Sequence, residues 1–98
     1  HTLVIPKHHA ESLFDLPSEN LGPLLGAVVK TQKIILAKLQ PEGFSLGLNQ
    51  GEIAGQEVPH VHLHIVPRYA GDGGKSFQSL VRQVPQESVE EMGLKIRS

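Results

Sequence analysis

"HVHLHIV" (residues 60–66) decides how this chain folds, because two kinds of residue alternate through it. Histidines stand at 60, 62 and 64, aliphatic residues at 61, 63 and 65, and Val66 follows. Successive side chains of a β-strand point to opposite faces of the sheet. The stretch is therefore predicted as a strand from His60 to Val66, ended by Pro67. One face, formed by Val61, Leu63 and Ile65, needs an apolar cover. The opposite face gathers three imidazoles and points to solvent or a cleft.

The cover lies upstream. Leu21, Leu24, Leu25, Val28, Ile35, Leu36 and Leu39 recur at three- and four-residue steps, leaving Lys30, Lys33 and Lys38 for the other side. This is the period of an amphipathic helix, predicted over 18–39. Ser18 is its candidate N-cap, Glu19 suits the first turn, and "QPEG" (40–43) ends it. Phe44, Leu46 and Leu48 alternate with polar or small residues, as in a half-buried strand. Thr2 to Ile5, closed by Pro6, is a further strand. Leu13, Phe14 and Leu16 fit a single helical turn, and "NQGEIAGQEVP" (49–59) a glycine-containing turn. "RYAGDGGKS" (68–76) reads as a polar loop and "PQESVEEMGLKI" (85–96) as a short final helix. Strands separated by one long helix indicate an α+β fold with a largely antiparallel sheet.

The 98 residues form a single domain, 1–98, whose modest core can depend on a partner subunit. The chain opens at His1 and runs straight into "TLVIP", which reads as the middle of a domain whose N-terminal strands are missing. A formal net charge of -1 argues against broad binding to nucleic acid or to an anionic membrane. The apolar runs fall short of the ~20 residues a membrane span needs. The absence of cysteine removes disulfides, thiolate nucleophiles and cysteine-based zinc sites, and fits a reducing compartment such as the cytoplasm.

Three alternate histidines allow three readings. As metal ligands they are poorly spaced, because the outer two lie about 13 Å apart along a straight strand. Zinc–nitrogen bonds are only about 2.0–2.1 Å, so a third ligand would come from His1, His8 or His9. As a plain polar sheet face, strict alternation of one residue type is left without a reason. As a covalent device they are better suited. A neutral imidazole whose Nδ1–H is held by a backbone carbonyl presents a nucleophilic Nε2. Flanking imidazoles can then donate hydrogen bonds to an anionic group under attack, for which phosphate is the natural candidate.

At this point the sequence resembles the histidine-triad (HIT) family of nucleotide hydrolases and transferases, in its bacterial-type branch. The family signature is His-φ-His-φ-His-φ-φ, with φ hydrophobic, and "HVHLHIV" matches it throughout. "NQGEIAGQEVP", "PRYAGDG" and "HTLVIPKHH" match neighbouring family stretches, so the resemblance covers most of residues 1–75. It implies that His62 attacks the α-phosphate of a nucleoside phosphate and forms a nucleotidyl-histidine. It makes His60 the source of the orienting carbonyl and His64 the hydrogen-bond donor to phosphate or bridging atom. Asn49, Gly55, Gln56, Glu57, His62, Leu63 and His64 would contact the nucleotide, with backbone N–H groups of residues 55–57 beside the phosphate. His1 would support the triad. The resemblance also implies a homodimer, a nucleotide partner, and no metal or cofactor. Glu57 departs from the Ser or Thr of well-studied branches, which puts a leaving-group role for that position in question.

Overall fold

The computed structural model describes residues 1–74, 88–91 and 94–97. Lys75 and Ser76 of the predicted polar loop, and residues 85–87, 92 and 93 of the predicted final helix, lie outside them. The described elements are β1 (Thr2–Pro6), α1 (Leu21–Leu39), β2 (Gly43–Gly47), β3 (Leu63–Arg68), β4 (Ser88–Glu91) and β5 (Leu94–Arg97). The strands form one sheet in the order β2-β3-β1-β5-β4, antiparallel at every junction. Helix α1 lies across one face, giving the α+β architecture expected from the sequence.

The register follows the alternation. Thr2, Leu3 and Val4 stand opposite Ile65, His64 and Leu63. On the other side of β3, Leu46 and Gly47 stand opposite Ile65 and His64. Opposed residues share a face, so Val4, Leu63 and Ile65 turn toward α1, where Leu24, Val28 and Ile35 complete the core. His64 lies on the reverse face, between Leu3 and Gly47. The β2 residue directly opposite it, Gly47, has no side chain.

Several elements differ from their sequence-based expectation. Strand β3 begins at Leu63, three residues later than predicted, so His60 and His62 precede it. The cause is Pro6, whose ring nitrogen has no proton to donate at the end of β1. Val61 N–H instead donates to the Ala10 carbonyl. Strand β3 also runs through Pro67 to Arg68. The Arg68 carbonyl accepts the Glu42 N–H on the β2 side. The nitrogen of Pro67 therefore faces away from β2, so its missing N–H costs that pairing nothing.

Ser18 does not cap the long helix. It lies inside a 3-10 turn (Ser18–Asn20) that runs directly into α1 without a side-chain cap. At the other end Gln40 takes the left-handed conformation, φ 49°, and its N–H closes on the Leu36 carbonyl. Of the predicted apolar stripe, only Leu24, Val28 and Ile35 are buried, with Thr31 between them. Leu21, Leu25, Leu36 and Leu39 are exposed, as is Val29, and they form a second apolar stripe. Seven apolar positions on a 3.6-residue period cover more of a helix than one sheet can bury. Leu46 is exposed because β2 is the sheet edge, and Phe14 is exposed on its 3-10 turn.

The short final helix expected in residues 85–96 is corrected by the structure. Ser88–Glu91 and Leu94–Arg97 are strands that pair antiparallel, and β5 pairs with β1 from Leu3 to Pro6. Leu94 and Ile96 alternate with Lys95 and Arg97, a period of two, and the open edge of β1 supplies the hydrogen-bond partners. Among the described residues no helix is long and apolar enough to cross a membrane.

Candidate active site

The three histidines of "HVHLHIV" do not form one array; they divide into two groups. His62 belongs with His64, the ring centroids being 5.0 Å apart and nearly edge to face. His64 in turn meets His1, with His64 Nδ1 2.7 Å from His1 Nε2. His60 turns away to His9, with the two Nδ1 atoms 3.0 Å apart. In the sequence His9 stood only as one of three alternatives for a third metal ligand. The residue is exposed, but the chain returns after β1 close enough for it to engage the first triad histidine. No spacing in the sequence signalled that contact.

Backbone carbonyls can only accept hydrogen bonds, so they dictate the tautomers. His62 Nδ1 lies 2.8 Å from the His60 carbonyl oxygen and therefore carries the proton. In the neutral ring Nε2 is left with its lone pair. His60 Nε2 lies 3.1 Å from the Pro6 carbonyl oxygen and is protonated there. Its Nδ1 then accepts from His9 Nδ1–H. The His60 side chain is thus spent on bracing the turn after β1, and its contribution to His62 is made by its backbone.

His64 is 5% exposed, so of the two surroundings expected for the histidine face, solvent or a cleft, open solvent does not apply to this ring. Burial lowers its pKa from 6.5 to about 4, with a smaller push from neighbouring His62. The unfolded chain takes up this proton near pH 6.5 and the folded chain only near pH 4. Between those values the unfolded state binds more protons, so stability is complete above about pH 6.5 and falls as the pH drops toward 4. The thermal midpoint of the wild type should fall between about pH 7 and about pH 5, and His64→Gln should remove part of that fall. An equal fall in both proteins would contradict this origin.

The remaining predicted residues are arranged unequally. Asn49 is half-buried, two residues beyond β2. The Leu63 side chain belongs to the core, so only its backbone can meet a ligand. The N–H groups of Gly55 and Gln56, expected beside a phosphate, instead close a turn onto the carbonyls of Glu52 and Gly51. Gly55 has φ 99°, a left-handed geometry that permits this closure without strain from a side chain. The Gln56 amide braces the loop, accepting from Gly51 N–H and donating to the Glu11 carbonyl. Glu57 is exposed, and with Glu11 and Glu52 it lines an open cavity of about 640 Å³.

Arg68, the last residue of β3, is committed to the loop that follows the strand. Its Nε and Nη2 donate to the Asp72 carboxylate at 2.6 and 3.0 Å, and Nη1 donates to Ser45 Oγ. The arginine holds the Asp72 carboxyl well below the usual carboxylate range. Asp72 also accepts from the N–H groups of Tyr69 and Gly74, which shapes the loop after β3. Among the described residues no group of three or more His, Asp or Glu side chains is placed to hold a metal ion.

A two-layer α+β fold that buries His64 on β3, with His62 just before the strand and oriented by a backbone carbonyl, frames a candidate histidine-based site of narrow type. The HIT domain family model matches residues 1–71, and the chain belongs to the HIT family. An uncharacterized HIT-like protein of Methanocaldococcus jannaschii is 48% identical over 73 residues, covering 74% of this chain and 56% of that protein. An adenosine 5′-monophosphoramidase of Schizosaccharomyces pombe is 35% identical over 98 residues, covering 100% of this chain and 71% of that protein. The crystal structure of a HIT-like protein from Bartonella henselae superposes with a TM-score of 0.68 at 38% identity, covering 72% of this chain and 55% of that one. The chain spans about half the length of the first curated relatives it matches.

Proposed function

We propose that this protein cleaves a nucleoside 5′-phosphate derivative at its α-phosphate, by double displacement through a nucleotidyl-His62 intermediate. The observation that carries this reading is the 2.8 Å contact from His62 Nδ1 to the His60 carbonyl oxygen. It leaves the Nε2 lone pair as the reactive atom of an oriented ring. His62 Nε2 attacks phosphorus, the bond to the leaving group breaks, and the leaving group departs with the bonding electrons, an amine taking up a proton from water as it leaves. Water, or another nucleophile, then attacks the adduct, the phosphorus–Nε2 bond breaks with its electrons returning to His62, and the attacking oxygen loses its proton to solvent. His64 donates a hydrogen bond to the phosphate or to the bridging atom, and Asn49 contacts the ribose or phosphate side. The relative named as a monophosphoramidase supports this class of reaction.

Of the two leaving-group classes, the phosphoramidate is favoured over the dinucleoside polyphosphate, because the relative named as a monophosphoramidase is matched over the whole of this chain. The second reading is a nucleotide-binding sensor or partner protein with little turnover. The observation favouring it is that the Gly55 and Gln56 N–H groups are already spent within their turn. The exposed stripe of Leu21, Leu25, Val29 and Leu36 on α1 suits the homodimer expected of this family.

The two readings part on one experiment with the full-length protein. Adenosine 5′-phosphoramidate and a dinucleoside polyphosphate, each radiolabelled at the α-phosphate, are turned over and quenched rapidly. The expected result is label covalently attached to His62, with faster turnover of the phosphoramidate. Tight nucleotide binding with neither adduct nor turnover would establish the binding protein instead.

A further inference from the structure

The carbonyl that orients His62 belongs to a peptide group that is itself held. The peptide unit joining His60 to Val61 is planar, so its C=O and its N–H leave one rigid plate in opposite directions. The His60 oxygen accepts the His62 Nδ1 proton at 2.8 Å. On the other side of the same plate, the Val61 N–H donates to the Ala10 carbonyl at 2.7 Å. Val61 stands ahead of β3, outside the strand pairing, so the sheet ladder does not hold this plate. Ala10 and Val61 are 5% and 1% exposed and belong to the same core cluster. Water is therefore kept from the bond between them, and a Val61 N–H that lost this acceptor would be buried unsatisfied. The flanking chain is anchored too. His60 N–H closes on the Val58 carbonyl at 2.7 Å, and the Glu11 carbonyl accepts the Gln56 amide at 2.8 Å.

We propose that Ala10 is a positioning residue for His62, its backbone carbonyl acting through the His60–Val61 peptide. Two effects follow from the geometry. A plate fastened at its N–H edge resists rotation, so the His60 oxygen stays aimed at His62 Nδ1. A peptide that donates through its N–H is also polarised, which strengthens its own carbonyl as an acceptor. The chain from Ala10 C=O through Val61 N–H and His60 C=O to His62 Nδ1–H thus holds the imidazole proton on Nδ1 and leaves electron density on Nε2. The side chains of Ala10 and Val61 lie in the core, so no residue type in the sequence marks this role. The effect on turnover rests on the nucleotidyl-transfer reading above, whereas the hydrogen-bonded chain itself does not.

The test uses the full-length protein labelled with ¹³C and ¹⁵N. In the wild type, scalar couplings across hydrogen bonds are expected from Val61 N to the Ala10 carbonyl carbon and from His62 Nδ1 to the His60 carbonyl carbon. A semisynthetic protein then carries the 2-hydroxy acid analogue of Glu11 in place of Glu11. This turns the Ala10–Glu11 amide into an ester, whose carbonyl still accepts but more weakly, and leaves the His60–Val61 peptide unaltered. There the His62 Nδ1 proton resonance should move upfield, and kcat on a phosphoramidate should fall about 3- to 10-fold with little change in KM. The control is the corresponding ester at Leu13, which removes the N–H that donates to Gln50 Oε1 at 2.8 Å in the same segment. It should leave the resonance and kcat near those of the wild type. Absence of the coupling between Val61 and Ala10 in the wild type overturns the proposal. So does an unmoved His62 resonance in the Glu11 ester, or an equal movement in both esters. If the wild type turns over no phosphoramidate, the catalytic reading fails, while the couplings and the resonance still decide whether Ala10 positions His62.

Discussion

His62→Asn is expected to lower kcat on a nucleoside phosphoramidate by about 10³-fold or more, while nucleotide affinity changes only slightly. The variant is chosen for what it keeps. An asparagine amide can still donate to the His60 carbonyl, as His62 Nδ1–H does at 2.8 Å, so the backbone before β3 retains its brace. What disappears is the Nε2 lone pair. The ring is half-buried and lies outside the core cluster, so stability should move little. The measurement is a paired one, single-turnover kinetics beside nucleotide titration by calorimetry. Turnover at the original rate would show that the nucleophile lies elsewhere. A parallel loss of affinity would show that His62 holds the ligand and does not attack it.

The parts of this arrangement that were legible in the sequence are those governed by a period. Alternation in "HVHLHIV" assigned Leu63 and Ile65 to the core and His64 to the opposite face, and the register with β1 agrees. The three- and four-residue spacing found α1 to within a few residues of its start. Contacts between distant segments carry no period, and there the sequence was silent. His9 meets His60 across 51 positions, and His1 meets His64 across 63. The shared face of three rings was an extrapolation of strand geometry beyond the strand. Pro6 ends the pairing before His62 and Val61, so His60 is free to rotate toward the Pro6 carbonyl. The Gly55 and Gln56 N–H groups were expected to face a ligand because the resemblance to the histidine-triad family implies it. Their use in a local turn depends on the left-handed Gly55, which composition does not reveal.

Ile65→Ala tests the other face of the same strand and should give the converse phenotype. Ile65 is 0% exposed, paired with Thr2 on β1 and Leu46 on β2, and it packs in the cluster under α1. Removing its branched side chain loses transfer free energy and leaves a cavity that the sheet and helix cannot easily close. A cost of about 3 kcal/mol is expected, within the range for buried Ile-to-Ala changes. That is a large share of the roughly 5–15 kcal/mol by which domains are stable. Urea unfolding followed by circular dichroism should show a lower midpoint at an unchanged slope, since the native surface area barely changes. Ile65 turns away from the face that carries His64, so the fraction that remains folded at low temperature should keep a near-normal kcat. His62→Asn would then remove chemistry at constant stability, and Ile65→Ala stability at nearly constant chemistry. A strand whose two faces can be disabled separately is what strict alternation implies. If instead Ile65→Ala lowers kcat as severely as it lowers the midpoint, the core sets the histidine geometry within tenths of an ångström, and the two faces act as one unit.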